Sequence, residues 1–384
     1  MPTRPVVSLR VSGNRGHLFY FRKMVDFPDR SVRPGALVDV VDREGQAVGV
    51  GFWNPHSEIA IRILAAGREV PATVVADRLH AAVRLRHDVL GLPAVTDAYR
   101  VCHAEGDGLT GLVVDRFGGV IVAQLFSGGW LENAALLRDA LAREFPGTAL
   151  HVTADDRVQK QEGFTLPPAH SPAPVVVTEH GAQFKINFAT GHKTGFFCDQ
   201  RDNRRQVAAL APGRSVLDLC CYTGGFSIHA ARAGARRVLG IDLDQDALET
   251  AKRNAKLNGV VVDWRHGDIF DVLRGLPPSE TFDLVVLDPP KLARNRLEIA
   301  KAQRAYFDMN RLALGAVAPG GLFVTCSCSG MIEEPEFLEI VREASRAAGR
   351  ELRFFRIAGA GPDHPVSTLY PEGRYLKAGF AVVV

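Results

Sequence analysis

From Ser215 onward, apolar runs of strand length alternate with amphipathic helical stretches, and this alternation constrains the fold more tightly than any other feature of the chain. The runs are SVLDLC, RVLGID, VVDWRHG, FDLVVLD and GLFVTCS, separated by stretches such as FSIHAARAG, QDALETAKRNAKLN and IAKAQRAYFDMNRLALGAV. Apolar strands joined by helices predict a mostly parallel sheet covered on both faces, an α/β fold of doubly wound, Rossmann-like type. Two last runs, ELRFFRIA and GFAVVV, close the sheet, the final one antiparallel because a loop rather than a helix precedes it.

At 384 residues the chain exceeds the size at which one core stops growing, so further domains are expected ahead of this one. Residues 1–70 carry short β-rich runs (VVSLRV, HLFYF, ALVDVVD, AVGVGFW, EIAIRIL) broken by turn residues, the pattern of a small β-barrel. Residues 71–174 mix helical stretches (ATVVADRLHAAVRLRHDVL, ENAALLRDALAREF) with strands around GLTGLVVDRFGGVIVAQLF, a middle α+β domain ending in the proline-rich linker TLPPAHSPAP. The third domain spans 175–384.

An apolar fraction of 46% and a charged fraction of 23% argue against a long disordered arm. The six cysteines have neither metal-ligand spacing nor the density of a disulfide framework, so no metal is expected and a reducing compartment fits best. The start lacks the apolar core of a signal peptide and no stretch is long enough to span a bilayer; a cytoplasmic protein with no membrane partner is expected. The net charge of +3 is small, but residues 1–34 hold seven cationic side chains against Asp26 and Asp29. A solvated basic face is the bland account; Arg22, Lys23 and Arg33 are the candidate phosphate contacts if the partner is a polyanion.

In a doubly wound sheet ligands gather at the carboxyl ends of the strands. The first strand ends in LDLCCYTGGFS, where Gly224 and Gly225 permit a tight turn and the next helix aims its amides at the same spot. The second ends at Asp242 and the third at Asp268. Either acid alone could cap a helix. Three acids at three successive strand tips resemble the S-adenosylmethionine site of class I methyltransferases. That resemblance implies Asp218, Tyr222, Thr223 and Gly224 at the methionine end, Asp242 at the ribose and Asp268 at the adenine. A nicotinamide dehydrogenase is the competing use of such a sheet, disfavoured because the glycines are not spaced G-x-G-x-x-G.

Strand four runs into Asp288, Pro289, Pro290 and Lys291. The prolines stiffen the turn and fix a carboxylate at the mouth of the sheet. Lys291 stands where amine-directed methyltransferases usually place an aromatic residue, which weighs against amine methylation. Strand five ends in VTCSCSG: Cys326 and Cys328 share parity, and Cys328 lies two residues nearer the open end, beside Asp288. A thiolate there could add to cytosine carbon 6 and activate carbon 5, helped to ionise by Lys291, Arg294 and Arg296 in the next loop.

The segments GHKTGFFCDQRDNR (191–204), CYTGGFS, LDPPK, SCSG, DHP (363–365) and YPEGRYLK (370–377), with EGDGLTGLVVDRFG (105–118), resemble the bacterial family of 23S ribosomal RNA cytosine-5 methyltransferases over nearly the whole chain. The resemblance implies an N-terminal PUA-like RNA-binding domain, a middle α+β domain and a C-terminal class I methyltransferase domain. It implies S-adenosylmethionine as cofactor, ribosomal RNA as partner, Cys328 as nucleophile, and Lys193, Phe196, Gln200, Asp288 and Pro289 near the cofactor. Asp288 is left open between base and base-orienting group, and the oligomeric state between monomer and homodimer. Guanine methylation at N7 or N2, in which Cys328 has no role, and a non-catalytic RNA-binding assembly factor are the alternatives.

Overall fold

The computed structural model describes residues 4–12, 17–67, 71–189 and 196–384. Its contacts divide the chain into two units: one of residues 1–177, 186–196 and 362–373, the other of 178–185, 197–361 and 374–384.

In the first unit, β1 (Val6–Ser8), β2 (Phe19–Phe21), β3 (Leu37–Val41), β4 (Ala47–Trp53) and β5 (Ile59–Ala66) form a five-stranded sheet in the order β1-β3-β4-β5-β2. Strand β4 presses so closely on β5 that side chains at Gly49 and Gly51 would stand 2.3 Å from the Ala65 carbonyl oxygen and 2.5 Å from that of Arg62. Only glycine fits. Next come α1 (Pro71–Arg84), β6 (Ala98–His103), β7 (Leu112–Phe117), β8 (Val120–Leu125), α2 (Gly128–Glu132), α3 (Ala134–Glu144), β9 (Ala149–Thr153) and α4 (Asp156–Glu162), with the strands ordered β6-β7-β8-β9.

Phe52 and Leu64 of the first sheet share one core with Leu79 of α1, Val101, Val114, Trp130 and Leu141. Buried Glu162 ties the same parts together: it accepts from Asn54 Nδ2 at 2.9 Å and from Arg62 Nη2 at 3.1 Å. The barrel-like and α+β segments are therefore one compact body. Residues 362–373 belong to it as well. The Asp363 carboxylate accepts from the Arg100 amide at 2.9 Å, and its carbonyl from Arg86, which is also bidentate to Asp107 at 2.6 and 2.8 Å. His364 packs on His103 with ring centres 5.0 Å apart, and burial, with the neighbouring His364, drives the His103 pKa down to about 2. Asp363 and His364 of the DHP run are thus buried structure.

Residues 165–174 adopt no regular element. The hairpin β10 (Val175–Glu179) and β11 (Ala182–Ile186) follows.

The second unit continues with α5 (Arg201–Leu210), β12 (Ser215–Leu219), α6 (Gly225–Arg232), β13 (Arg237–Asp242), α7 (Gln245–Leu257), β14 (Asp263–His266) and α8 (Ile269–Gly275). It ends with β15 (Phe282–Leu287), α9 (Ile299–Gly315), β16 (Val317–Ser327), α10 (Glu334–Ala347), β17 (Leu352–Ala358) and β18 (Lys377–Val383). The seven strands run β14-β13-β12-β15-β16-β18-β17. Strands β12 to β16 pair in parallel, and β18 pairs antiparallel with both β16 and β17, as the loop before it predicts. One face carries a core around Leu217, Val285 and Phe323, the other a core around Val216, Val286 and Phe380. Each such side chain contributes about 1.5–3 kcal/mol by leaving water. Successive strands go opposite ways from β12, to β13 on one side and β15 on the other, which opens a crevice at their carboxyl ends.

Candidate active site

At the exit of β12 the backbone is strained. Cys220 has φ +63° and Tyr222 φ +49°, and Gly224 follows at φ +85°. Two non-glycine residues in the left-handed region cost about 1–3 kcal/mol each and persist only when their surroundings hold them. Asp242 supplies the hold: its carboxylate accepts from the Tyr222 amide at 2.7 Å and from the Asp244 amide at 2.8 Å. Asn254 Nδ2 donates to the Thr223 carbonyl at 3.2 Å, and the Tyr222 ring meets Phe197 edge-on at 5.2 Å. Gly224 is required twice over, by its φ and because a Cβ would lie 2.7 Å from the Trp264 ring.

Asp218 is fully buried. One carboxylate oxygen accepts from the Ser227 amide at 3.0 Å and the Ser227 hydroxyl at 2.6 Å; the other has no hydrogen-bond partner among the described residues. Burial, and then Asp242, push its pKa up to about 6 despite the Ser227 bonds. Asp288, half-buried just past β15, is pushed to about 7 by removal from water and by Asp199 and Asp218. Gln200 Nε2 donates to it at 2.9 Å, and Asn203 in turn donates to Gln200 at 2.7 Å. Asp218 and Asp288, both held short of full charge, suit a ligand that brings positive charge.

Asp268 caps α8, accepting from the Phe270 amide at 2.7 Å, and is half-buried. Pro289 is buried and Phe196 likewise, the latter within the first unit. Lys193 lies outside the described residues. Lys291, Arg294 and Arg296 are exposed on the loop after β15. In the first unit Lys23 and Arg33 are exposed, whereas half-buried Arg22 donates to the Pro55 carbonyl at 2.5 Å and covers the Phe27 ring at 5.3 Å.

The two cysteines of β16 differ as their spacing predicts. Cys326 is fully buried and burial raises its thiol pKa well above the usual range; Cys328, just beyond the strand, is half-buried. Its neighbours Ser327 and Ser329 are both buried and share one anchor, the Tyr306 hydroxyl of α9, at 3.0 Å each. The Ser329 hydroxyl also accepts from the Leu292 and Ala293 amides at 3.2 Å, tying the loop after Lys291 to the cysteine turn. Lys377 completes the frame by donating to the Ser329, Ile332 and Tyr375 carbonyls at 2.8, 2.7 and 2.9 Å. Sequence reasoning missed Tyr306 and Lys377; the one available signal was a lysine opening an otherwise apolar strand, KAGFAVV.

The model of an S-adenosylmethionine-dependent methyltransferase family matches residues 102–368, and that of a PUA-like domain residues 13–66. The chain is 39% identical, over 89% of its own length and 89% of the relative's, to the ribosomal RNA large subunit methyltransferase I of Shewanella denitrificans. It is 38% identical to the protein of the same name from Erwinia tasmaniensis, over 96% and 95% of the two chains. A solved structure of a protein described as a methyltransferase, complexed with SAH, shares the fold with TM-score 0.82 at 18% identity, covering 99% of this chain and all of that one. S-adenosylmethionine carries a sulfonium and an α-ammonium, and the open Asp218 oxygen and the half-charged Asp288 fit a ligand of that charge. On the family match, the relatives and the chemistry of the strand tips together, the chain belongs to the S-adenosylmethionine-dependent methyltransferases and takes S-adenosylmethionine as its cofactor.

Proposed function

We propose that the protein methylates carbon 5 of a cytosine in 23S ribosomal RNA, with Cys328 as the nucleophile. One observation carries the reading: the sheet ends in a half-buried cysteine framed by two buried serines at the crevice mouth, while its neighbour two residues deeper is sealed in the core. The names of the relatives support RNA as substrate, and the PUA-like match to residues 13–66 supports residues 1–70 as an RNA-binding segment ahead of a middle segment 71–174 and a catalytic segment 175–384.

Cytosine carbon 5 is a poor nucleophile. Addition of the Cys328 thiolate at carbon 6 forms an S–C bond and leaves an enamine whose carbon 5 can attack an electrophile. Bound S-adenosylmethionine supplies that electrophile, a methyl group on sulfonium. Asp288, titrating near neutrality, is matched to taking the carbon 5 proton, after which the C6–S electron pair returns to sulfur and the double bond reforms. Lys291, Arg294 and Arg296 are suited to phosphate contacts at the rim. Asp218, Tyr222, Thr223, Gly224, Asp242, Asp268 and Pro289, with Gln200, are the residues this reading assigns to the cofactor, because the strand-tip acids and the strained turn after β12 all belong to the second unit.

RNA bearing 5-fluorocytosine tests this directly, because fluorine cannot leave carbon 5 as a proton does. The wild-type protein should form an adduct that survives denaturing electrophoresis; Cys328→Ala should form none and turn over no RNA, and Cys326→Ala should behave as wild type. Normal RNA methylation by Cys328→Ala would overturn the assignment in favour of guanine chemistry.

A further inference from the structure

Lys377 stands opposite Ser327 in the antiparallel β16–β18 register and is 2% exposed. All three of its N–H groups are spent on backbone carbonyls, two of them in the turn that begins at Cys328. None of the acceptors is a carboxylate. An ammonium taken out of water without a paired carboxylate is costly, and a chain that needed only a turn fastener could use a neutral donor there. The charged groups around it are the Cys328 thiol at the end of β16, Glu334 and Glu336 of α10, and Lys291 on the loop after β15; Glu334 is itself bonded to Arg374 at 2.7 Å. Of these, Cys328 ranks first as a source of favourable charge, after burial itself, which holds the Lys377 pKa down to about 8.

We propose that Lys377 is a positioning residue for Cys328: its ammonium pins the turn 328–332 and supplies the fixed positive charge beside which the thiol ionises. The inference rests on Cys328 as the nucleophile for its use, but not for its test. The pairing has a stated sign. Below about pH 8 Lys377 is charged, and a positive charge there favours the thiolate over the thiol.

The experiment follows the rate of Cys328 alkylation by iodoacetamide against pH in the full chain, read by mass spectrometry of the peptide that contains it, with no RNA present. In Lys377→Met the midpoint should move upward by about one pH unit, the effect of removing an opposite charge nearby, while cofactor affinity stays at the wild-type value. Lys377→Arg, which keeps the charge, should keep the wild-type midpoint. With 5-fluorocytosine RNA, Lys377→Met should form the adduct about tenfold more slowly at neutral pH, matching a one-unit shift. If Lys377→Met does not fold, Lys377→Gln, which retains donors without charge, takes its place with the same expectation. An unshifted midpoint in the neutral variant, or equal shifts with Met and Arg, overturns the proposal. Neither result bears on whether Cys328 attacks cytosine, which the Cys328→Ala adduct assay decides alone.

Discussion

The crowded carboxyls make cofactor affinity depend on pH in a calculable way. Asp218 and Asp288 titrate near 6 and 7 in the folded chain, whereas an unfolded aspartate titrates near 4. Ionising Asp288 in the folded chain therefore costs on the order of 4 kcal/mol relative to water. A ligand that brings a sulfonium and an ammonium favours the ionised pair, so its affinity should track the fraction of protein with both groups charged. Between pH 6 and pH 7 that fraction rises about fivefold for Asp288 and about twofold for Asp218, together about tenfold, in a range where the cofactor's own amine stays protonated. In Asp288→Asn the rise should shrink to about twofold, since only Asp218 is left to titrate. The sign for stability is the opposite. Both pKa values are raised on folding, so the folded protein binds protons that the unfolded chain gives up, and its stability falls as pH climbs from about 4 to about 7. Titration calorimetry of S-adenosylmethionine in buffers of different ionisation enthalpy measures both the affinity and the protons released. A wild-type affinity that is flat over this pH interval, or an Asp288→Asn protein that retains the full tenfold rise, would refute the reasoning.

Two further outcomes are expected. Asp242→Ala strips acceptors from two amides and frees the left-handed Tyr222 turn, so cofactor affinity should fall by about 1.5–3 kcal/mol, roughly tenfold to a hundredfold; an unchanged calorimetric affinity in a folded variant excludes the role. Replacing Arg22, Lys23 and Arg33 together by alanine should lower the salt slope of RNA binding by about 0.7–0.9 for each phosphate no longer neutralised, while cofactor binding stays as it was; an identical slope marks these residues as plain solvated surface.

The parallel sheet was legible because a strand covered on both faces must be apolar throughout, as SVLDL and FDLVVL are. The cysteines were separable by parity and by their distance from the strand end. What each acid does was not legible. Asp268 caps a helix and Asp242 braces a turn 20 residues earlier in the chain, and only the folded backbone tells such uses from ligand contact. The frame around Cys328 was hidden for a related reason: Tyr306 lies 21 residues before Ser327, and Lys377 lies 48 after Ser329. No local pattern marks a contact at that separation. The packing of Phe52 and Leu64 against α1 was equally hidden, since nothing local in the barrel-like segment marks a contact with the helix that follows it.

The chain passes between its two compact units five times, at 177/178, 185/186, 196/197, 361/362 and 373/374. Neither unit is therefore one uninterrupted stretch of gene. A recombination event with a single crossover in the coding sequence would leave Asp363 and His364 attached to the wrong ancestry, separated from the Arg86, Arg100 and His103 with which they are buried. Exchange of either unit by one cut is therefore closed to this chain: residues 362–373 and the partners that bury Asp363 and His364 have to change together.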